Sequence, residues 1–176
     1  QALDRKIFLD DYVDLSTVSV VDLSSVLQVA PKTGTVDALY AQLRDRHPAL
    51  TVYRREDIPA YLHFSGSPRI QPIIALAADG WAITTHARFE RDKDSPNQTG
   101  GDHGYDGRYQ SMHGLFVGAG PQFRRGVVVP AFESVHLYEL MCRMLGLKPA
   151  KNDGDPEVTK GFLTGSQVLG FSGSSG

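Results

Sequence analysis

Between Asp14 and Ala30 apolar residues alternate or run together through Val18, Val20, Val21, Leu23, Val26, Leu27 and Val29, and Pro31 and Gly34 close the stretch. Most of these side chains are β-branched, which predicts short strands. Thr35 then offers a hydroxyl to the first turn of a helix in which Val36, Leu39, Tyr40 and Leu43 recur at i, i+3, i+4 and i+7. Asp37, Gln42, Arg44 and Asp45 occupy its other side, and Pro48 ends it. Leu50 to Tyr53 predicts a further short strand, and Asp57 followed by Pro59 predicts a helix start leading into Ala60-Tyr61-Leu62. Strands and helices alternate, so the expected fold class is α/β.

Two apolar runs, Pro72 to Ala77 and Trp81 to Thr84, flank Asp79-Gly80, a dipeptide that tolerates positive φ, and a hairpin is expected there. From Arg88 to Gly107 the composition turns polar and Gly-rich, which predicts a long surface loop of the kind that often carries function. Leu115-Phe116-Val117 reads as a buried strand. A helix is expected from about Ser134 to Gly146, with Val135, Tyr138, Met141 and Leu145 as its buried stripe, Glu139 and Arg143 paired on the wet side, and Gly146 as its stop.

Composition narrows the function classes. With 18 Lys and Arg against 20 Asp and Glu in 176 residues, the net charge of -2 leaves no electrostatic footprint for docking a nucleic acid polymer. No apolar stretch approaches the ~20 residues needed to span a bilayer. Cys142 is the single cysteine, so internal disulfides and thiolate metal clusters are excluded, and any metal must be held by His and carboxylates. The chain opens without a basic segment followed by an apolar one, and Phe171 to Gly176 has the composition of a linker. Both ends read as cut. The expected division is a folded portion over 1–165 and a flexible tail or linker scar over 166–176.

None of the six histidines, His47, His63, His86, His103, His113 and His136, forms a His-x-x-x-His pair. A lone His is ordinarily a surface or hydrogen-bonded structural side chain. His103 differs in its surroundings, Gly100-Gly101-Asp102-His103-Gly104-Tyr105-Asp106. Three glycines there allow close backbone approach to a ligand, and two carboxylates can orient the imidazole or share a cation.

Gly101-Asp102-His103-Gly104-Tyr105-Asp106, then Ser111-Met112, then Leu115 to Pro121 resemble the nucleotide pyrophosphatase/phosphodiesterase family. The likeness continues through Val128 to Cys142 and Leu145 to Gly154, and covers roughly residues 50 to 154. The resemblance implies an alkaline-phosphatase-like α/β sheet flanked by helices, of which this chain would be the C-terminal portion of the catalytic domain. It implies two zinc ions and a threonine nucleophile that cleave phosphodiester or pyrophosphate bonds and release a nucleoside monophosphate. His103 carries over as a zinc ligand, with Asp102 and Asp106 as supporting groups, while His113 and His136 do not carry over as ligands.

The family's nucleophilic Thr, its upstream Asp and His ligands and its Asp-His-Gly-Met pair have no counterpart here. They are expected to precede Gln1 in a complete enzyme, because two zinc ions cannot be held by a single imidazole. No catalytic residue is therefore assigned in this chain. The expected partners are a nucleotide or phosphodiester substrate and the missing N-terminal part of the domain. The alternatives are a non-catalytic binding or structural module on the same fold and a related phosphonate hydrolase. The resemblance also implies a secreted or periplasmic enzyme, and Asn97-Gln98-Thr99 is a glycosylation sequon in a polar loop.

Overall fold

A computed structural model describes residues 4–95 and 101–165, which gather into two units, one ending at Gly114 and one beginning at Leu115. The expected tail over 166–176 and the sequon lie outside the described residues.

In the first unit β2 (Val18–Leu23), β3 (Val26–Pro31), β4 (Leu50–Arg54) and β5 (Ile73–Ala77) form an antiparallel sheet in the order β2-β3-β5-β4. A second, two-stranded sheet pairs β1 (Lys6–Phe8) with β6 (Ala82–Thr84) in parallel. Helix α1 (Val36–Leu43) begins as expected, with the Thr35 Oγ1 accepting from the Ala38 amide at 3.1 Å.

The strand parity explains the layering, because successive side chains leave a strand on opposite faces. Leu27, Val29, Leu50, Val52, Ile73, Ala75 and Ala77 share one face with Leu39 and Leu43 of α1, and Ile7 and Ile83 of the second sheet join the same core. Ile74 and Leu76 point the other way and meet Val26, Tyr53, Ile58, Leu62 and Ile70. The cover on that side is the segment Arg55 to Ile70, built of short 3-10 turns rather than an α-helix. The helix start expected at Asp57 and Pro59 thus yields only the turn Ala60–Leu62, which ends at His63 in the left-handed region (φ 48°).

Two more expectations are corrected in the first unit. Asp79-Gly80 does make a tight turn, with the Trp81 amide donating to the Ala78 carbonyl at 2.9 Å, but its flanks are not a hairpin. They enter different sheets, since β5 pairs with β3 and β4 whereas β6 pairs with β1. The expected loop over Arg88 to Gly107 begins late, because α2 (His86–Asp92) occupies its start. Thr85 Oγ1 caps the Arg88 amide locally at 3.2 Å, and the Asp10 carboxylate accepts from the His86 amide, a tertiary contact that a polar sequence conceals.

In the second unit Leu115-Phe116-Val117 is not a strand, and Leu115 and Val117 are 92% and 76% exposed. Phe116 alone turns inward, onto an aromatic cluster with Phe123, Phe132 and Phe162. Helix α3 (Leu137–Leu145) ends at Gly146 in the left-handed region as expected, yet its buried residues are Leu140 and Cys142. Met141 and Leu145, expected inside, are exposed. The segment after the helix folds back on it: Glu139 accepts from Asn152 Nδ2 at 2.6 Å, Arg143 donates to the Pro156 carbonyl, and Tyr138 Oη accepts from the Ala150 amide. Glu139 and Arg143 therefore serve this returning segment instead of each other.

Candidate functional site

The segment from Gly101 to Arg108 is irregular but anchored along its length. Asp102 Oδ1 accepts from the His103 amide at 2.9 Å, the short polar side chain bending the backbone locally. Two residues on, Tyr105 is buried in the main core, where its hydroxyl donates to the Trp81 carbonyl at 2.7 Å. The far end is held by Asp106, whose carboxylate accepts from the Arg108 amide at 2.9 Å, from Arg108 Nη2 at 2.8 Å and from the Tyr61 hydroxyl at 2.9 Å. Arg108 stacks over the Tyr61 ring at 4.0 Å. The Arg108 guanidinium, then the Tyr61 hydroxyl, overcomes partial burial and holds the Asp106 carboxyl down at a pKa of about 2. Burial, reinforced by Asp106, raises Tyr61 above its ordinary value.

Between these anchors His103 is exposed, and among the described residues no group hydrogen-bonds its ring. Beside it Asp102 lines a cleft of about 230 Å³ together with Lys6, Ser24, Thr84, Arg88 and Asp92. Partial burial lowers the Lys6 pKa, and Asp102 opposes that shift. Arg88 is fixed by a 2.6 Å bond from Nη1 to the Leu23 carbonyl. The cleft carries both signs of charge and lies between the two sheets of the first unit.

The other histidines have structural work. His47 Nδ1 accepts from the Ala49 amide at 3.0 Å and its ring meets Trp81 edge-on. His86 stacks on Phe8 at 4.0 Å and bonds Asp11 at 2.8 Å. His136 Nδ1 accepts from the Asp155 amide at 2.9 Å. His113 closes the turn Gln110–Met112, and His63 closes Ala60–Leu62. Sequence reasoning gave no role to Ser25, whose hydroxyl donates to the His103 carbonyl at 2.6 Å. Its one signal in the sequence is its place in a Ser-Ser break between two apolar runs.

The donor chemistry of His103 suits zinc, since an exposed imidazole without a competing hydrogen bond is a good ligand. Among the described residues, however, no group of three or more His, Cys, Asp or Glu side chains could hold a metal ion. His103 thus fits a share of a zinc shell, and the described residues do not close that shell.

The family model for type I phosphodiesterase/nucleotide pyrophosphatase matches residues 1–106, which extends the likeness toward the N-terminus beyond the motifs. Ectonucleotide pyrophosphatase/phosphodiesterase family member 7 of Mus musculus is 36% identical over 151 residues, 85% of this chain and 33% of the relative. The bis(5'-adenosyl)-triphosphatase ENPP4 of Homo sapiens is 38% identical over 160 residues, 91% of this chain and 33% of the relative. The chain therefore spans about a third of the length of these curated relatives. Among solved structures, human ectonucleotide pyrophosphatase/phosphodiesterase 5 superposes with a TM-score of 0.78 at 34% identity, covering 93% of this chain and 42% of that one. An inactive form of the murine protein, in complex with AMP, superposes with a TM-score of 0.77 at 34% identity, covering 91% of this chain and 41% of that one.

Proposed function

Because the chain belongs to the type I phosphodiesterase/nucleotide pyrophosphatase family and shares its alkaline-phosphatase-like α/β fold, we propose that the protein containing it hydrolyses nucleotide phosphodiester or pyrophosphate bonds. The reaction releases a nucleoside monophosphate, and His103 contributes one zinc ligand. The observation that carries this reading is that the family match runs through the segment in which His103 stands exposed between firm anchors.

Zinc, when bound, stabilises the attacking and leaving oxygens of such a displacement. The task of this chain's own residues is narrower. His103 presents an imidazole nitrogen. Ser25 and Asp102 hold its backbone from either side, and Tyr105 ties the segment to the core. Among the described residues no further set of side chains closes a zinc shell around His103. The extracellular setting named for the relatives suits the same reading, and no described helix is long and apolar enough to cross a membrane.

The test is a metal count and a hydrolysis assay on the full-length protein. Zinc bound in stoichiometric amount, turnover of a p-nitrophenyl nucleotide ester, and loss of both in His103→Ala but not in His136→Ala are expected. A folded full-length protein with no zinc and no turnover would instead favour a non-catalytic module.

A further inference from the structure

The turn that joins β2 to β3 is Ser24-Ser25, and it is interior: Ser25 is 1% exposed. Both of its carbonyls are taken up by neighbouring strands. Ser24 accepts from the Ile83 amide of β6 at 2.7 Å, and Ser25 accepts from the Ala77 amide of β5 at 2.9 Å. The turn is therefore wedged where the two sheets of the first unit meet, and the place of the Ser25 hydroxyl is set by regular structure. A buried hydroxyl needs a partner. The partner lies 78 residues away, the backbone carbonyl of His103 at 2.6 Å.

Gly104 shows how closely the segment is fitted to that hydroxyl. Its φ is +87°, and a Cβ built on it would stand 2.8 Å from Ser25 Oγ. A glycine is needed there both for the backbone conformation and for the approach.

We propose that Ser25 is the positioning residue of His103. Its hydroxyl pins the carbonyl of the residue that this chain offers as a metal ligand, so the Cα–Cβ direction of His103 is set by the sheets and not by the loop. The inference rests on the reading of His103 as a zinc ligand. A ligand on an unanchored loop loses backbone freedom when the metal binds, whereas an anchored one has lost it on folding. Groups that orient a metal ligand typically change metal affinity by about 10–100-fold when removed.

The experiment uses the full-length protein. Zinc affinity is measured by chelator competition for Ser25→Ala, Ser25→Thr, Gly104→Ala, His103→Ala and the double variant Ser25→Ala/His103→Ala. Hydrogen exchange of residues 101–106 is followed in the metal-free form. Ser25→Ala is expected to weaken zinc binding about 10–100-fold and to speed exchange. Ser25→Thr, which keeps the hydroxyl, should recover most of the loss, and Ser25→Ala should add nothing once His103 is gone. Gly104→Ala disturbs the same contact from the loop side and carries the test if Ser25→Ala does not fold.

Unchanged zinc affinity in Ser25→Ala, beside a large loss in His103→Ala, overturns the proposal alone. So does a Ser25→Ala effect that persists undiminished in the His103→Ala background. Unchanged affinity in His103→Ala overturns the ligand reading itself.

Discussion

The Tyr61 hydroxyl donates to Asp106 Oδ2 at 2.9 Å, tying the turn Ala60–Leu62 to the segment that carries His103. Asp106 has a second partner in Arg108, and the two together keep its carboxyl ionised at a pKa of about 2 against an ordinary 3.8.

A carboxyl whose pKa is lower in the folded chain stabilises the fold fully only where the unfolded chain is also ionised. The Asp106 contribution is therefore complete above the ordinary value of 3.8 and is lost as the pH falls toward about 2. Asp106→Asn keeps an acceptor for Tyr61 but loses the ion pair with Arg108. We expect it to cost about 1 kcal/mol at neutral pH and to flatten the acid limb of stability, measured by urea denaturation between pH 2 and pH 6.

His86 presents the opposite sign. The Asp11 carboxylate, bonded to its Nε2 at 2.8 Å, raises its pKa above 6.5. Any stabilisation from the protonated ring is fully present below 6.5 and fades as the pH rises through the folded value. NMR titration of the imidazole should report the elevated pKa in the native protein, and Asp11→Asn should return it toward 6.5.

In the second unit a Cβ on Gly118 would lie 2.5 Å from Phe123 Cε1, in a ring already packed near Phe116. Gly118→Ala should therefore cost about 1–3 kcal/mol through forced repacking. Gly107→Ala has open space and no left-handed φ, and its midpoint in a thermal melt should match the parent. Equal midpoints for the two variants would contradict the packing described for Phe123.

Ile73 is fully buried on the α1 face of β5, whereas Val21 on β2 is 61% exposed. Ile73→Ala should lose about 2–5 kcal/mol in chemical denaturation, and Val21→Ala within about 0.5 kcal/mol of none. A comparable loss at Val21 would mean that the outer face of β2 is covered in the full-length protein.

The elements that were legible in the sequence are those whose signal is local. Thr35 and the i, i+3, i+4 spacing of Val36, Leu39 and Tyr40 specify α1 because cap and stripe lie within two turns of each other. The β-branched runs on either side of Ser24-Ser25 specify β2 and β3 in the same way. Gly146 was legible as a helix stop because one left-handed residue suffices. His103 is legible as a candidate ligand through its neighbouring glycines and carboxylates and through the family motif around it.

Pairing and burial were decided only in three dimensions. Asp79-Gly80 fixes a turn but not the partners of the strands beside it, and β6 pairs with β1, more than seventy residues earlier in the chain. Leu115 and Val117 are apolar, yet no apolar run by itself supplies the backbone partners that a strand requires, and both stay exposed. In α3 it is Leu140 and Cys142 that are buried, while Tyr138 and Arg143 meet Ala150 and Pro156 of the returning segment, partners that the helix's own pattern does not contain. Ser25 is marked locally only as part of a Ser-Ser break, because its role exists only where a buried turn meets a loop 78 residues away. The sequence by itself determined the local elements and singled out His103 as the proposed metal ligand. The tertiary structure decided which strands pair, which faces are covered and what holds that residue in place, since each depends on groups distant in the chain that only folding brings together.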